Sequence, residues 1–230
     1  MKTIKLVLSI VALTIASTAS AQFANSTQST STKQSSTSTT TVDLSNWNSF
    51  YISVDTPVLV WDGDDEEKFN GGFSLGFTST KVLSDSTPIF AESGVEFSYA
   101  YYNDDYDDCY YTYNFFNAVI PINLVYLYSI NENFSVAPYV GLYARVGISF
   151  RNKYSYSYSS GEYSDSGSLY DEDYWGDDAL NRLTYGYQLG VNLQLKDKYI
   201  VGIKWQNDIN EMCEDLKYKN GISINLGFKF

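Results

Sequence analysis

Histidine is absent from the 230-residue chain, and cysteine, methionine and proline are scarce, at two, two and four residues. Without imidazole, no Ser/His/Asp or Cys/His nucleophile and no His-ligated zinc centre can be assembled. Long apolar runs are lacking too. Beyond the N-terminus no stretch approaches the roughly 20 apolar residues of a membrane-crossing helix, which excludes helical transporters and channels. Basic residues are few, 15 Lys plus Arg against 27 Asp plus Glu, for a formal charge of −12. Phosphate-backbone binding rests on clustered Lys and Arg, so no nucleic acid partner is expected. What abounds is aromatic. The chain has 22 Tyr and 13 Phe, an enrichment that favours strands and interfaces.

Residues 1–21 read as a secretory signal. Lys2 and Lys5 precede an apolar core, Leu6 to Ile15, and Ala19-Ser20-Ala21 supplies a small-x-small cleavage site before Gln22. The apolar core is too short to span a bilayer comfortably. Without the two lysines the exported chain has 13 basic residues against 27 acidic, a formal charge near −14. Residues 22–47 read as a linker, because from Asn25 to Thr41 the chain is almost wholly Ser, Thr and Gln. Such a composition has too little apolar surface to offset the entropy of ordering. The folded region is expected over 48–230.

That region alternates with a period of two and shows no convincing helix of three turns. Leu183, Tyr185, Tyr187, Leu189, Val191 and Leu193 alternate with Thr184, Gly186, Gln188, Gly190, Asn192 and Gln194. Ile222, Ile224, Leu226, Phe228 and Phe230 alternate with Gly221, Ser223, Asn225, Gly227 and Lys229. Eight strands are expected, at 48–61, 69–80, 88–102, 110–129, 134–151, 181–196, 199–209 and 217–230. Faces are least defined in the first and fourth, where Pro57 and Pro121 suggest a bulge or register change. An even count permits a closed antiparallel barrel.

Such a barrel is either soluble with its apolar face inward or transmembrane with it outward. The polar face here is Gly, Ser, Thr, Asn and Gln, which fits a narrow lumen better than a solvated exterior. The bulky face, aliphatic at mid-strand and aromatic toward strand ends, fits a lipid band between aromatic girdles. The fold class expected is therefore all-β, an eight-stranded antiparallel up-and-down transmembrane β-barrel. Connections alternate between short (81–87, 131–133, 196–198) and long (62–68, 103–109, 152–180, 210–216). Outer-membrane barrels keep short turns on the periplasmic side and long loops outside. The long connections hold 20 of the 27 acids, with Asp208 counted among them, so the outer rim reads as a carboxylate crown.

Four segments carry a family likeness. Asn117-Ala118-Val119-Ile120-Pro121-Ile122-Asn123-Leu124, Pro138-Tyr139-Val140-Gly141-Leu142-Tyr143, Tyr187-Gln188-Leu189-Gly190-Val191-Asn192 and Leu226-Gly227-Phe228-Lys229-Phe230 follow one another in order. With them the chain resembles, over 48–230, the outer-membrane β-barrel family of porin-like proteins common in Bacteroidetes. Leu142-Tyr143 departs from that family's second glycine. The resemblance implies insertion by the barrel assembly machinery, with Phe230 as the terminal aromatic it reads, and implies no reaction and no fixed substrate.

Inward parity places Glu92, Glu96, Arg145, Lys204 and Lys229 in the lumen, where charges are expected to pair. They read as a salt-bridged plug, with a gate or proton path as the competing reading. Cys109 and Cys213 both fall on the acidic side, and an oxidising compartment favours an inter-loop disulfide. The acidic clusters lack the spacing of a calcium loop, so only weak association with divalent cations or lipopolysaccharide is expected. Tyr154, Tyr156, Tyr158, Tyr163, Tyr170, Tyr174 and Trp175 make the third long connection an adhesive candidate for host surface molecules. No catalysis, cofactor or resident metal is expected. The function expected is a non-enzymatic outer-membrane protein, cleaved from its signal, with periplasmic termini and an envelope-structural or surface role. A narrow cation-preferring porin and a soluble lipocalin-like binder are the competing readings.

Overall fold

Alternation becomes strand at all eight expected places. The computed structural model describes residues 45–60, 66–84, 86–106, 109–158, 161–171, 179–213 and 216–230. The signal segment, the linker before residue 45, Tyr174, Trp175 and eleven of the crown acids, among them Asp62, Asp107, Glu172 and Glu214, lie outside these residues. The strands are β1 (Trp47–Val60), β2 (Glu66–Lys68), β3 (Gly71–Val82), β4 (Ile89–Tyr106), β5 (Cys109–Tyr126), β6 (Tyr128–Asn131), β7 (Phe134–Tyr158), β8 (Gly161–Ser168), β9 (Leu183–Leu195), β10 (Tyr199–Asp208) and β11 (Lys217–Lys229). No helix occurs among the described residues.

Eight of these strands build one antiparallel wall in the order β1-β3-β4-β5-β7-β9-β10-β11, and β11 pairs back with β1. That seam runs from Ser49↔Lys229 to Val60↔Lys217. Asn48 and Phe230 extend it by exchanging backbone hydrogen bonds of 3.0 and 2.9 Å. Closure leaves the wall with no free edge, which is what a lipid environment demands of backbone polar groups. Asn48 and Phe230 therefore sit at one end of the barrel, here termed the terminus end, with the β3–β4, β6–β7 and β9–β10 turns.

At the far end the structure departs from the expected loops. Residues 103–106 and Cys109 are strand: β4 and β5 stay paired up to Tyr106↔Cys109. Likewise β7 continues to Tyr158 and folds back as β8. The physical reason is composition, since Tyr alternates with Thr and Asn over 111–114 and with Ser over 154–158, a pattern that suits a two-faced ladder in water. A four-stranded sheet, β4-β5-β7-β8, thus stands above the barrel mouth. The register change expected around the prolines falls at Pro57 in the first strand, whereas Pro121 of the fourth carries no register shift. Pro121 pairs normally with Tyr143 of β7, and the ladder to β4 is interrupted only between Ser93↔Ile122 and Glu96↔Val119, where proline has no N–H to give.

The faces are inside out relative to a soluble barrel. Outward residues are apolar and bare, such as Ile122 at 63% and Leu142 at 62% exposure, whereas Ser74, Asn117, Gln188 and Gln206 are buried. Two bulges then exchange the faces near the far end. In β7 the register shifts between Phe116↔Ser149 and Asn117↔Gly147, with Ile148 as the extra residue. In β11 it shifts between Asp55↔Ser223 and Pro57↔Asn220. There the Thr56 hydroxyl accepts from the Ile222 N–H at 2.9 Å and donates to its carbonyl at 3.1 Å. Below each bulge odd residues face inward. Above it Phe150 and Tyr218 do, and Arg151 and Lys217 turn outward.

Candidate functional site

The barrel interior holds the charged residues, and cross-strand register decides who meets whom. In mid-barrel, Lys204 Nζ of β10 lies 2.6 Å from Glu96 Oε2 of β4, and the Tyr51 hydroxyl donates to the same oxygen at 2.7 Å. Closer to the far end, Arg145 Nη1 of β7 donates to both oxygens of Asp208, at 2.6 and 2.8 Å. The Tyr143 hydroxyl donates to Asp208 as well, and the Arg145 guanidinium lies 4.1 Å from the centre of the Tyr218 ring. All four charges of these two pairs are buried. Pairing offsets the large cost of taking each ion out of water, so either partner alone would be strongly destabilising.

Glu92 is held differently. Thr78, Thr80 and Asn123 donate to its carboxylate at 3.3, 3.2 and 2.9 Å. Asn123 is itself the end of an amide relay in which Gln206 donates to Gln188 and Gln188 to Asn123, each at 2.6 Å. Three lumen tyrosines lie across glycines on the neighbouring strand: Tyr51 opposite Gly76, Tyr139 opposite Gly190 and Tyr143 opposite Gly186. A Cβ at any of these glycines would run into the tyrosine ring. That explains why the small face alternates glycine with amides.

Each end of this polar layer is closed by an apolar cluster. At the terminus end are Trp47, Phe90, Val125, Leu127, Ala137 and Tyr139. At the far end, Phe115, Phe150, Tyr218, Phe69, Met212 and Leu216 form the core of a larger cluster, with the Phe115 ring 4.7 Å from Phe150 and 5.0 Å from Tyr218. Tyr170 lies beneath the Arg182 guanidinium at 4.4 Å. Burial pushes its hydroxyl above the ordinary phenol value, while Arg182 acts in the opposite direction. A cavity of about 30 Å³ lies between the two seals, lined by Tyr51, Glu92, Asn123, Gln188, Asn192 and Lys204 among others. That is room for about one or two waters.

The expected lumen residues are thus all placed, with partners that parity alone did not assign. Glu96 and Lys204 meet each other. Arg145 meets Asp208, which is 2% exposed, so Asp208 belongs to the lumen and not to the carboxylate crown. Its signal was present in the sequence, since it shares parity with Lys204 and Gln206 on one strand. Lys229 sits at the terminus end, donating to Gln194 at 3.1 Å and lying 4.3 Å from the Trp47 ring centre. Cys109 is the first residue of β5, its sulfur 3.7 Å from the Tyr154 hydroxyl. Cys213 bridges to Leu216 and packs on the far-end cluster, and the two sulfurs are not bonded to each other. Phe230 is exposed at the seam, its ring 6.0 Å from Phe77 and 5.7 Å from Phe228. No grouping of three or more Cys, Asp or Glu that would hold a metal occurs among the described residues.

A closed antiparallel barrel with an apolar exterior and a polar, ion-paired interior defines a transmembrane β-barrel protein. The chain belongs to the outer membrane protein beta-barrel domain family, whose profile matches residues 9–230, and the protein is one of the outer membrane. This removes the soluble lipocalin-like reading. No curated protein matches the chain. Among solved structures it is similar to Ail, the attachment invasion locus protein of Yersinia pestis, in complex with the heparin analogue sucrose octasulfate. The identity is 14% over 80% of this chain and 99% of that one, with a TM-score of 0.44. It is also similar to Neisserial surface protein A, at 12% identity over 80% and 97% of the chains and a TM-score of 0.43. The N-terminal barrel domain of Pseudomonas aeruginosa OprF is similar at 9% identity over 78% and 97%, with a TM-score of 0.31.

Proposed function

We propose that this is a plugged, non-enzymatic barrel that serves the envelope as a structural element and meets its surroundings through the far rim. Filling of the lumen carries the reading: two apolar clusters bracket a polar layer that encloses a cavity of about 30 Å³ among the described residues. An interior filled by side chains is what eight strands allow. The N-terminal 21 residues act as a cleaved signal, 22–47 as a periplasmic tether, and both termini face the periplasm. The taller, acid-rich and tyrosine-rich end then faces outward, where its carboxylates associate weakly with divalent cations that bridge lipopolysaccharide and its tyrosines offer contacts to host surface molecules. Phe230 is read by the barrel assembly machinery.

Single-channel recording of the purified protein in planar bilayers tests the plug. The expected trace is flat at salt concentrations where porins conduct. Ohmic, cation-selective steps would overturn the closed-lumen reading and establish the narrow porin in its place.

A further inference from the structure

The bulge at Ile148 has an electrostatic result. Odd residues of β7 face inward as far as Gly147, so an unbroken strand would carry Arg151 and Lys153 into the barrel mouth. The extra residue turns both outward, and both are exposed. Arg151 stands opposite Asn114 of β5 and Ser168 of β8, and Lys153 opposite Thr112 and Ser166. The cross-strand neighbours of both are therefore neutral hydrogen-bonding residues. In a chain with 27 acids to 15 bases, neither cation forms an ion pair among the described residues. Directly below them the lipid-facing belt begins with Ile148 and Phe116, 44% and 37% exposed. Two adjacent cations with no ion pair among the described residues, flanked by hydroxyls and an amide, thus lie at the edge of the exposed apolar belt.

We propose that Arg151 and Lys153 form a seat for a phosphate of the outer-leaflet glycolipid, the lipid A portion of lipopolysaccharide. The argument is charge complementarity: a fork of guanidinium donors and an ammonium suit a phosphate. Their place beside the apolar belt selects a phosphate anchored in the membrane over one free in solution. The seat rests on the reading that the far end faces outward.

The full mature chain, refolded in neutral detergent, is incubated with phosphorylated or dephosphorylated lipid A, and lipid retained per barrel is measured after affinity capture. The native protein is expected to retain the phosphorylated form preferentially. The double variant R151Q/K153Q is expected to bind it about 30-fold more weakly, as loss of two interfacial cations predicts, and R151K/K153R to retain most of the binding. A heat-dependent gel shift reports that each variant is folded. If either glutamine residue disturbs folding, the native protein's preference between the two lipids still decides. Equal retention of both lipids, or by native and R151Q/K153Q barrels, would overturn the seat. Displacement by millimolar inorganic phosphate would overturn the lipid as its source. Orientation is read separately, by labelling of Ser164→Cys with an impermeant maleimide on intact cells in a C109S/C213S background. A label with unchanged lipid binding would sink the seat alone, whereas protection would sink the orientation.

Discussion

Glu96 and Lys204 are each buried to 1–3% exposure, at a separation of 2.6 Å, so each is the other's main compensation. Glu96→Gln is expected to strand the ammonium and to cost about 3–5 kcal/mol, as is Lys204→Met through the bare carboxylate. The double variant should recover part of that loss, because two neutral side chains need no ionic partner. Urea unfolding of the refolded barrel in micelles measures all three, and additive losses would show that the pair is not coupled. The glycines opposite tyrosines argue from sterics. Gly186→Ala would press on the Tyr143 ring and on the Asn207 carbonyl, an overpacking expected to cost about 1–3 kcal/mol. The parity of all these residues was legible in the sequence, and so was their burial. Their partners were not, because Glu96 and Lys204 are 108 residues apart and only curling of the wall into a barrel brings β4 and β10 face to face.

Among the elements, β7 is the most instructive. Its alternation predicts a strand over 134–151, and the observed strand runs from Phe134 to Tyr158. A one-residue slip in a strand ordinarily moves every side chain to the opposite face. Ile148 is already a surplus residue opposite β5, so deleting it leaves the pairs Asn117↔Gly147 and Phe116↔Ser149 in regular succession. The deletion variant is expected to fold and keep its heat-dependent mobility. Deleting Leu142 from the same strand is expected to abolish folding, since everything on one side of the cut would invert. Equal tolerance of both deletions would show that β7 slides freely. The β9–β10 turn offers a gain instead. Lys196 and Asp197 have φ of 52° and 50°, the left-handed values of a turn that favours Asn-Gly. Lys196→Asn with Asp197→Gly is expected to stabilise the barrel by about 1 kcal/mol, read as a higher urea midpoint.

For the whole molecule, the seam between β1 and β11 makes folding all or none, since without it two strand edges would lie bare in lipid. The described barrel is closed without any residue before Ser45. A chain beginning at Ser45 is therefore expected to refold in detergent with the same heat-dependent shift as the mature protein. Removing Phe230 separates two roles. Refolding in detergent should be nearly unchanged, because the residue is exposed at the seam, while assembly in cells should fall markedly if the assembly machinery reads it. Loss of both would make Phe230 a structural residue only.

The sequence by itself determined the strand class, the eight strands of the wall, which face meets lipid, and the inward parity of Glu92, Glu96, Arg145 and Lys204, though not that of Asp208. These follow from a period of two and from side-chain size, properties that each strand carries alone. Tertiary structure decided the rest. Which carboxylate meets which cation depends on shear and register between strands far apart in sequence. Whether 103–106 is loop or ladder depends on a neighbour being present to pair with. The two bulges, which carry aromatics into the mouth and turn cations out of it, exist only as a mismatch in count between adjacent strands, and no single strand records that mismatch.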